Sequence, residues 1–461
     1  MLLELLSHQN FADMKYGLDP SFRFSVSRAV YKGILKYMST RYGREYAVQP
    51  LPVDNLGVRF AGERKALLTW RPVSDPHEPT AAAQGYRLYT RIDDGAFDIG
   101  RDISEWEKTD EGCVRLELDI EPGHIYSFRV QAFNAGGRSF MSETVSIGTP
   151  AASEESRTML VVNNFDRVSG PVFFDTPQYA GFDNAMDSGV PYRRDISFIG
   201  EMYQNRRDME WLSNDNPGFG GSHQYHAGKT VAGNTFDYSY THGKAIMNAG
   251  YPFISCSNEA FCSDRNLREG VWAVDLICGK QVTTVVGSAQ NGTRYTVFTK
   301  ELQESLTEFT AGGGHVLVSG AYIATDIWSN IYVYEPDNSF RTASVKFAED
   351  VLGYRWASAH AGRTGSVSFT KCEDFKTEEC GSVSFHNSIN DTCYSVEAPD
   401  GIAPRGKSRV FMRYADTDIP AAVCRDDKGY RSVCIGFPIE TLKDEKDIDN
   451  IISLTLEYFS R

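Results

Sequence analysis

The sequence predicts a multidomain chain in which a β-sandwich precedes an α/β domain built on a mostly parallel sheet. Two patterns carry this expectation. Between residues 49 and 150, short runs alternate apolar and polar residues and are separated by turn residues, as the strands of an antiparallel sandwich do. From residue 157 onward, almost purely apolar runs alternate with segments of helical spacing, which marks strands buried on both faces of a parallel sheet. The polar stretch at 151–156 reads as the linker.

Within the first pattern, Leu51–Leu56 starts a strand and Ala66-Leu-Leu-Thr-Trp70 follows with its apolar residues on one face. Gly85–Arg91 and Cys113–Leu118 alternate in the same way. Tyr126–Ser139 is a long strand closed by a Gly-Gly turn. Trp70, Tyr126 and Val130-Gln-Ala-Phe-Asn-Ala-Gly-Gly137 with Ser139 resemble the core Trp, tyrosine corner and penultimate strand of fibronectin type III domains. The resemblance implies a spacer or binding platform without chemistry of its own.

In the second pattern, Thr158–Asn164 is the first buried strand and Gly243–Gly250 a helix closed by glycine. Tyr251–Ser257 and Trp272–Cys278 are further strands. Lys300–Phe309 places Leu302, Leu306 and Phe309 on one helix face, and His315–Gly320 follows as a strand. Ala421–Cys424 and Tyr430–Pro438 form a hairpin-like pair, and Ile448–Tyr458 the last helix. This alternation predicts a flavodoxin-like sheet over 157–461, interrupted by long insertions at about 167–242 and 361–408. Gly312–Tyr322 and Ile435–Glu440 resemble the class I glutamine amidotransferase-like fold. The family's nucleophile elbow is degenerate here. Leu276-Ile-Cys278-Gly279 lacks the small residue before the thiol, and no His accompanies Glu440, so Cys278 reads as a buried strand-end thiol.

The first 48 residues carry a separate resemblance. Met1-Leu-Leu-Glu4-Leu-Leu, with Asn10 after it, reads as a strand delivering one carboxylate, and Arg28–Tyr37 as an amphipathic helix. Together they resemble the final strand and helix of zinc-dependent N-acetylmuramoyl-L-alanine amidases, with Glu4 in the place of the catalytic glutamate. The family's zinc ligands lie upstream of that strand. The resemblance therefore implies a remnant without amidase activity as it stands, with zinc relevant only if the missing ligands are supplied.

Taken together, the modules resemble a group of large secreted bacterial proteins commonly labelled xanthan lyases. The shared residues are Asn163–Gly170, Asp215–Gly220, Asp275–Gln281 and Val318–Gly320, besides Glu4–Asn10. The label implies polysaccharide β-elimination, but neither a helical toroid nor a β-helix repeat is present to carry a lyase site. The expected function is a secreted, periplasmic or cell-surface accessory protein that binds glycan or scaffolds polysaccharide or peptidoglycan processing. The alternatives are a polysaccharide lyase or hydrolase, and the C-terminal part of an amidase.

Composition narrows the partners. The net charge is −14 with no basic stripe, which argues against nucleic acid. No apolar run approaches the ~18 residues of a membrane span. The first residues lack the basic and apolar regions of a signal peptide, so a secreted form would need one on a longer precursor. Of nine cysteines, Cys256/Cys262, Cys372/Cys380/Cys393 and Cys424/Cys434 are locally spaced; one or two local disulfides and buried free thiols both fit. No cofactor is expected.

If the α/β domain holds a site, it lies beyond the carboxyl ends of its strands. That edge gathers Asn164, Asp166 and Arg167 after the first strand, Asn258 and Glu259 after the second, Ser319 and Asp326 after the fourth, and Glu440 after the last. Asp166 and Asp326 are candidate catalytic residues and the others candidate ligand contacts, although Asp, Asn and Ser at strand-to-helix turns also serve as helix caps. His223, His226 and His242 offer a weak metal set, and Trp211, Phe219, Tyr225, Tyr238 and Tyr240 offer faces for stacking on sugars.

Overall fold

The computed structural model describes residues 3–7, 10–110, 112–152, 157–198, 203–206, 219–222, 224–286, 292–330, 338–375, 377 and 381–461. The sandwich consists of β1 (Asp54–Gly62), β2 (Lys65–Arg71), β3 (Gly85–Ile92), β4 (Val114–Asp119), β5 (Ile125–Asn134) and β6 (Val145–Gly148). β2 pairs with β1 and β4, and β5 with β3 and β6, all antiparallel. Trp70 is fully buried between the sheets, edge-on to Tyr86 at 5.2 Å between ring centroids. The Tyr126 hydroxyl accepts a hydrogen bond from the Glu121 N–H at 3.2 Å, the closure expected of a tyrosine corner.

Five strands form the parallel centre of the next region: β7 (Thr158–Asn163), β8 (Phe253–Ser257), β9 (Val271–Gly279), β10 (His315–Gly320) and, later in the chain, Tyr430–Ile435. Their spatial order is β8, β7, β9, β10 and then Tyr430–Ile435. Beyond that strand the sheet continues antiparallel. Working through the chain, β11 (Ser366–Phe369), β12 (Ser382–Ser384), β13 (Arg409–Tyr414) and β14 (Pro420–Asp427) lead to the parallel strand, now β15. β15 pairs with β14, β14 with β13, β13 with β11 and β11 with β12. The 361–408 stretch therefore contributes strands to the main sheet.

Alternation along the parallel strands explains their apolar runs. Met159 and Val161 of β7 enter one core and Leu160 and Val162 the other. The first core is roofed by α3 (Tyr238–Asn248) and, at the chain end, Glu445–Ser460. The second is roofed by α4 (Asn258–Ser263), α5 (Lys300–Ala311) and α6 (Asn338–Phe347), making Glu445–Ser460 α7. Gly279 ends β9 with φ +47°, and a Cβ there would lie 2.3 Å from the Phe165 ring. Only glycine lets the segment after β7 pack so closely on the end of β9.

The sandwich and the parallel sheet share strands. β1 pairs antiparallel with β8 through Gly57↔Cys256 and Val58↔Ser255, and β6 meets β8 at Phe253↔Gly148. The Ser255 hydroxyl donates to the Ser146 carbonyl at 2.7 Å and accepts from the Ser146 N–H at 2.6 Å. β8 would otherwise present an open edge, so the sandwich caps the sheet where it would invite other strands.

Residues 3–7 carry no strand and are exposed, in contrast to the strand expected there. Asn10 instead caps a short helix, Phe11–Gly17, through its side-chain oxygen. The helix expected over Arg28–Tyr37 extends from Pro20 to Tyr42, and none of its residues is buried. It is tied to the sandwich by charge: Arg28 and Lys32 approach Asp75 at 3.0 and 2.6 Å, and Lys36 approaches Glu78 at 2.9 Å. Burial would raise the Asp75 carboxyl, but hydrogen bonds from Lys32 and Arg28 outweigh it and hold the group at about 2.

Candidate functional site

The crevice where the order of parallel strands reverses is partly filled by its own side chains. Asn164 donates to the Val297 carbonyl at 2.7 Å and accepts from the Asn258 amide at 2.8 Å. The same amide donates to Asp166 Oδ2 at 3.1 Å. Gln281 Oε1 accepts both the Asp166 and Arg167 N–H groups at 3.0 Å, bridging the ends of β7 and β9. Ser257 caps α4 by accepting from the Ala260 N–H, which sets Asn258 and Glu259 in the first turn. Asn258 Oδ1 is buried without a hydrogen-bond partner among the described residues.

Where the two modules meet, carboxyl groups gather into an acidic cluster, the notch. Glu143, just before β6, accepts from the Asn163 amide at 2.7 Å and lies within electrostatic reach of Asp166 and Glu259. Asp54, at the start of β1, is a fourth carboxyl of the cluster. Burial first, and then repulsion from Asp166 and Glu259, holds the Glu143 carboxyl well above its ordinary range. Burial and Glu259 do the same to Asp166, and burial with Asp54 raises Glu259. A carboxyl whose pKa is raised keeps its proton to higher pH than an ordinary one, and while it does so it can donate a hydrogen bond. Glu143 and Asp54 were invisible to the sequence reading because they belong to the other module.

Other predicted site residues lie elsewhere or are already engaged. Asp326 accepts from the Thr283 and Val297 N–H groups, the Thr283 hydroxyl and the Asn330 amide, at 2.6–3.1 Å. It ties Thr283 and Val297 together. Asp326→Ala is expected to lower stability by about 2 kcal/mol, since several charge-assisted bonds lose their acceptor; a thermal melt checks this, and an unchanged Tm would return Asp326 to the candidate catalytic residues. Arg167 is fully buried and paired with Asp187 at 2.8 Å. Ser319 is fully buried. Glu440 is buried away from the notch, accepting from the Tyr394 hydroxyl at 2.6 Å and facing His242 Nε2 at 3.4 Å.

Of the histidines, His242 is engaged at both ring nitrogens. His242 sits in α3, fully buried, with Nδ1 2.7 Å from Asp275 Oδ2. His226 packs beside the Phe198 ring at 5.6 Å, and His223 lies outside the described residues. Of the stacking aromatics, Tyr238 is buried, Tyr240 half-buried and Tyr225 exposed, while Trp211 and the side chain of Phe219 lie outside the description. Glu4 is exposed on a segment without regular structure. Among the described residues, the one group of three His, Cys, Asp or Glu side chains whose ligand atoms lie close enough together to share a metal ion is Cys372, Asp374 and Cys424. Cys278 is buried, and its thiol is pushed far above the ordinary range by desolvation, which suits an inert thiol.

Comparison with known proteins bears on the sandwich. Residues 51–148 match the fibronectin type III domain. Over 100 residues the chain is 33% identical to receptor-type tyrosine-protein phosphatase F of Mus musculus and of Bos taurus. The human counterpart is 32% identical over the same length. These matches cover 21% of this chain and 5% of the receptor's length. Among solved structures, one described as a myokine is 26% identical with a TM-score of 0.18, covering 22% of this chain and 99% of that one. The fourth FNIII domain of a human protein is 22% identical with a TM-score of 0.18, covering 23% and 85%. No helix among the described residues is long and apolar enough to cross a membrane.

Proposed function

We propose that this chain is a secreted or cell-surface accessory module that binds glycan, with the acidic notch between the fibronectin type III domain and the parallel sheet as its site. The observation that carries this reading is the convergence of Glu143, Asp166, Glu259 and Asp54 at the carboxyl ends of β7 and β8. The strand order supports reading residues 157–461 as flavodoxin-like, related to the class I glutamine amidotransferase-like fold: in chain order it runs 2-1-3-4-5, whose switch point is the expected ligand crevice. A cluster that mixes protonated carboxyls with amide groups offers donors and acceptors at once, which matches sugar hydroxyls better than phosphate. The fused sandwich supplies a rigid platform.

The raised carboxyls give the test its sign. A group whose folded pKa lies above its unfolded value loses stability as pH rises between the two, so at neutral pH the notch is a source of strain. Glu143→Gln and Asp166→Asn are therefore expected to leave Tm unchanged or raise it at pH 7–8. In affinity electrophoresis against peptidoglycan fragments and acidic polysaccharides, the same variants are expected to weaken binding at least about tenfold, one lost charge-assisted hydrogen bond. A lowered Tm with intact binding would reject the notch as the site. The protonated carboxyls also favour a second reading, a polysaccharide-active hydrolase or lyase. New reducing ends or unsaturated uronate that disappear in Asp166→Asn would establish it.

A further inference from the structure

A pair of thiols far from the notch carries an inference of its own. Cys372 lies in a turn after β11, within the 361–408 stretch, and Cys424 lies in β14. Their Sγ atoms are 3.9 Å apart, and both residues are buried. We propose that Cys372 and Cys424 are a cross-linking pair whose disulfide staples the 361–408 stretch to the antiparallel extension of the sheet. Local spacing did not suggest this pair, since 52 residues separate the two positions.

The surroundings favour a covalent bond between these two sulfurs over a metal. Asp374 offers the third ligand atom, but Arg409 holds its carboxylate at 3.2 Å, and no fourth His, Cys, Asp or Glu joins them among the described residues. Structural zinc asks for four protein ligands. The turn itself is fixed: the Phe375 N–H donates to the Cys372 carbonyl at 3.1 Å, and Phe375 stacks on Phe411 at 4.3 Å and packs on Tyr458 of α7 at 4.9 Å. The sulfurs are thus held close by packing before any bond forms. The hydrogen bond from Cys424 pushes the Cys372 thiol down to about 6 against the effect of burial, so Cys372 ionises first.

The chemistry is thiol–disulfide exchange with a low-molecular-weight disulfide as oxidant. The Cys372 thiolate attacks one sulfur of that disulfide and displaces its partner as a thiolate. Cys424 gives its proton to solvent and attacks Cys372 Sγ of the mixed disulfide, displacing the second small thiolate. Two protein thiols are oxidised and one external disulfide is reduced to two thiols.

The test is to equilibrate the full chain with oxidised glutathione, quench in acid, denature, alkylate and map the peptides by mass. The number of alkylatable thiols is expected to fall by two from nine, with one peptide pair joined through Cys372 and Cys424. Reduction is expected to lower the Tm of the native protein by on the order of 5 °C, as release of a long closed loop does. The Tm of Cys424→Ser should not respond to reduction. Nine alkylatable thiols after oxidation, a link from either residue to Cys380 or another cysteine, or stoichiometric zinc that shields both thiols would each overturn the proposal. The mass measurement uses the unmodified chain, so it stands even if the variant misfolds.

Discussion

Replacing His242 with alanine is expected to destabilise the chain by about 3–5 kcal/mol in urea unfolding at pH 7, the range for breaking a buried ion pair from one side. His242 lies between two carboxylates: Nδ1 donates to Asp275 Oδ2 at 2.7 Å and Nε2 to Glu440 Oε2 at 3.4 Å, all three side chains being fully enclosed. Truncation removes the partner both carboxylates share and leaves Glu440 the Tyr394 hydroxyl. Burial alone would lower the imidazole pKa, but the charge and hydrogen bonds of Asp275 and Glu440 outweigh it and raise it to about 10. The unfolded value is about 6.5. The stabilisation is therefore complete below about pH 6.5 and disappears as pH rises through about 10. The difference in stability between the native protein and His242→Gln should shrink steadily over that window. A difference that stays constant from pH 6 to 10 would show that His242 is not charged in the fold.

The history of that residue shows what a sequence can and cannot display. The helix was legible only from Gly243, because Tyr-Ser-Tyr-Thr-His242 combines aromatic, β-branched and small polar residues of weak helix propensity. His242 consequently looked like a loop histidine, when it is the innermost charge of α3. The strands were legible for the opposite reason. Burial on two faces forces an apolar run such as Met159–Val162, and burial on one face forces the alternation of Ala66–Trp70, so pattern and environment are the same fact. Strand ends were legible too: Asn258 bonds Asn164 and Asp166, and Glu259 lies within electrostatic reach of Asp166. Arg167 shares that position yet turns inward, because its partner comes from an insertion whose path no periodicity encodes. Glu143 reaches the same notch from a domain with its own core, and nothing local in Ser-Glu-Thr marks it.

Asp187→Ala is expected to have an effect at least as large, about 5 kcal/mol, because one carboxylate neutralises two buried cations. Its oxygens lie 2.8 Å from Arg167 Nη1 and 2.8 Å from Lys280 Nζ, and all three side chains have no solvent exposure. The two cations are not equally harmed by its loss. Lys280 keeps Glu397 at 2.7 Å and the Gly189 carbonyl at 3.3 Å. Arg167 keeps hydrogen bonds to the Lys280 carbonyl at 3.2 Å and the Ser169 hydroxyl at 2.9 Å but loses the carboxylate at its Nη1, and a guanidinium stays charged. Two comparisons follow from this asymmetry. Lys280→Met, which leaves the Arg167–Asp187 pair intact, should cost less than Asp187→Ala. Adding Arg167→Met to Asp187→Ala should recover a large part of the loss, because an apolar side chain of similar length asks for no partner. Denaturant unfolding of the four proteins reads the coupling directly. If the double variant is no more stable than Asp187→Ala alone, the cost of Asp187 lies in packing and not in charge. Full recovery would mean that this core tolerates apolar filling and that the buried network is kept for the path it imposes on the insertion.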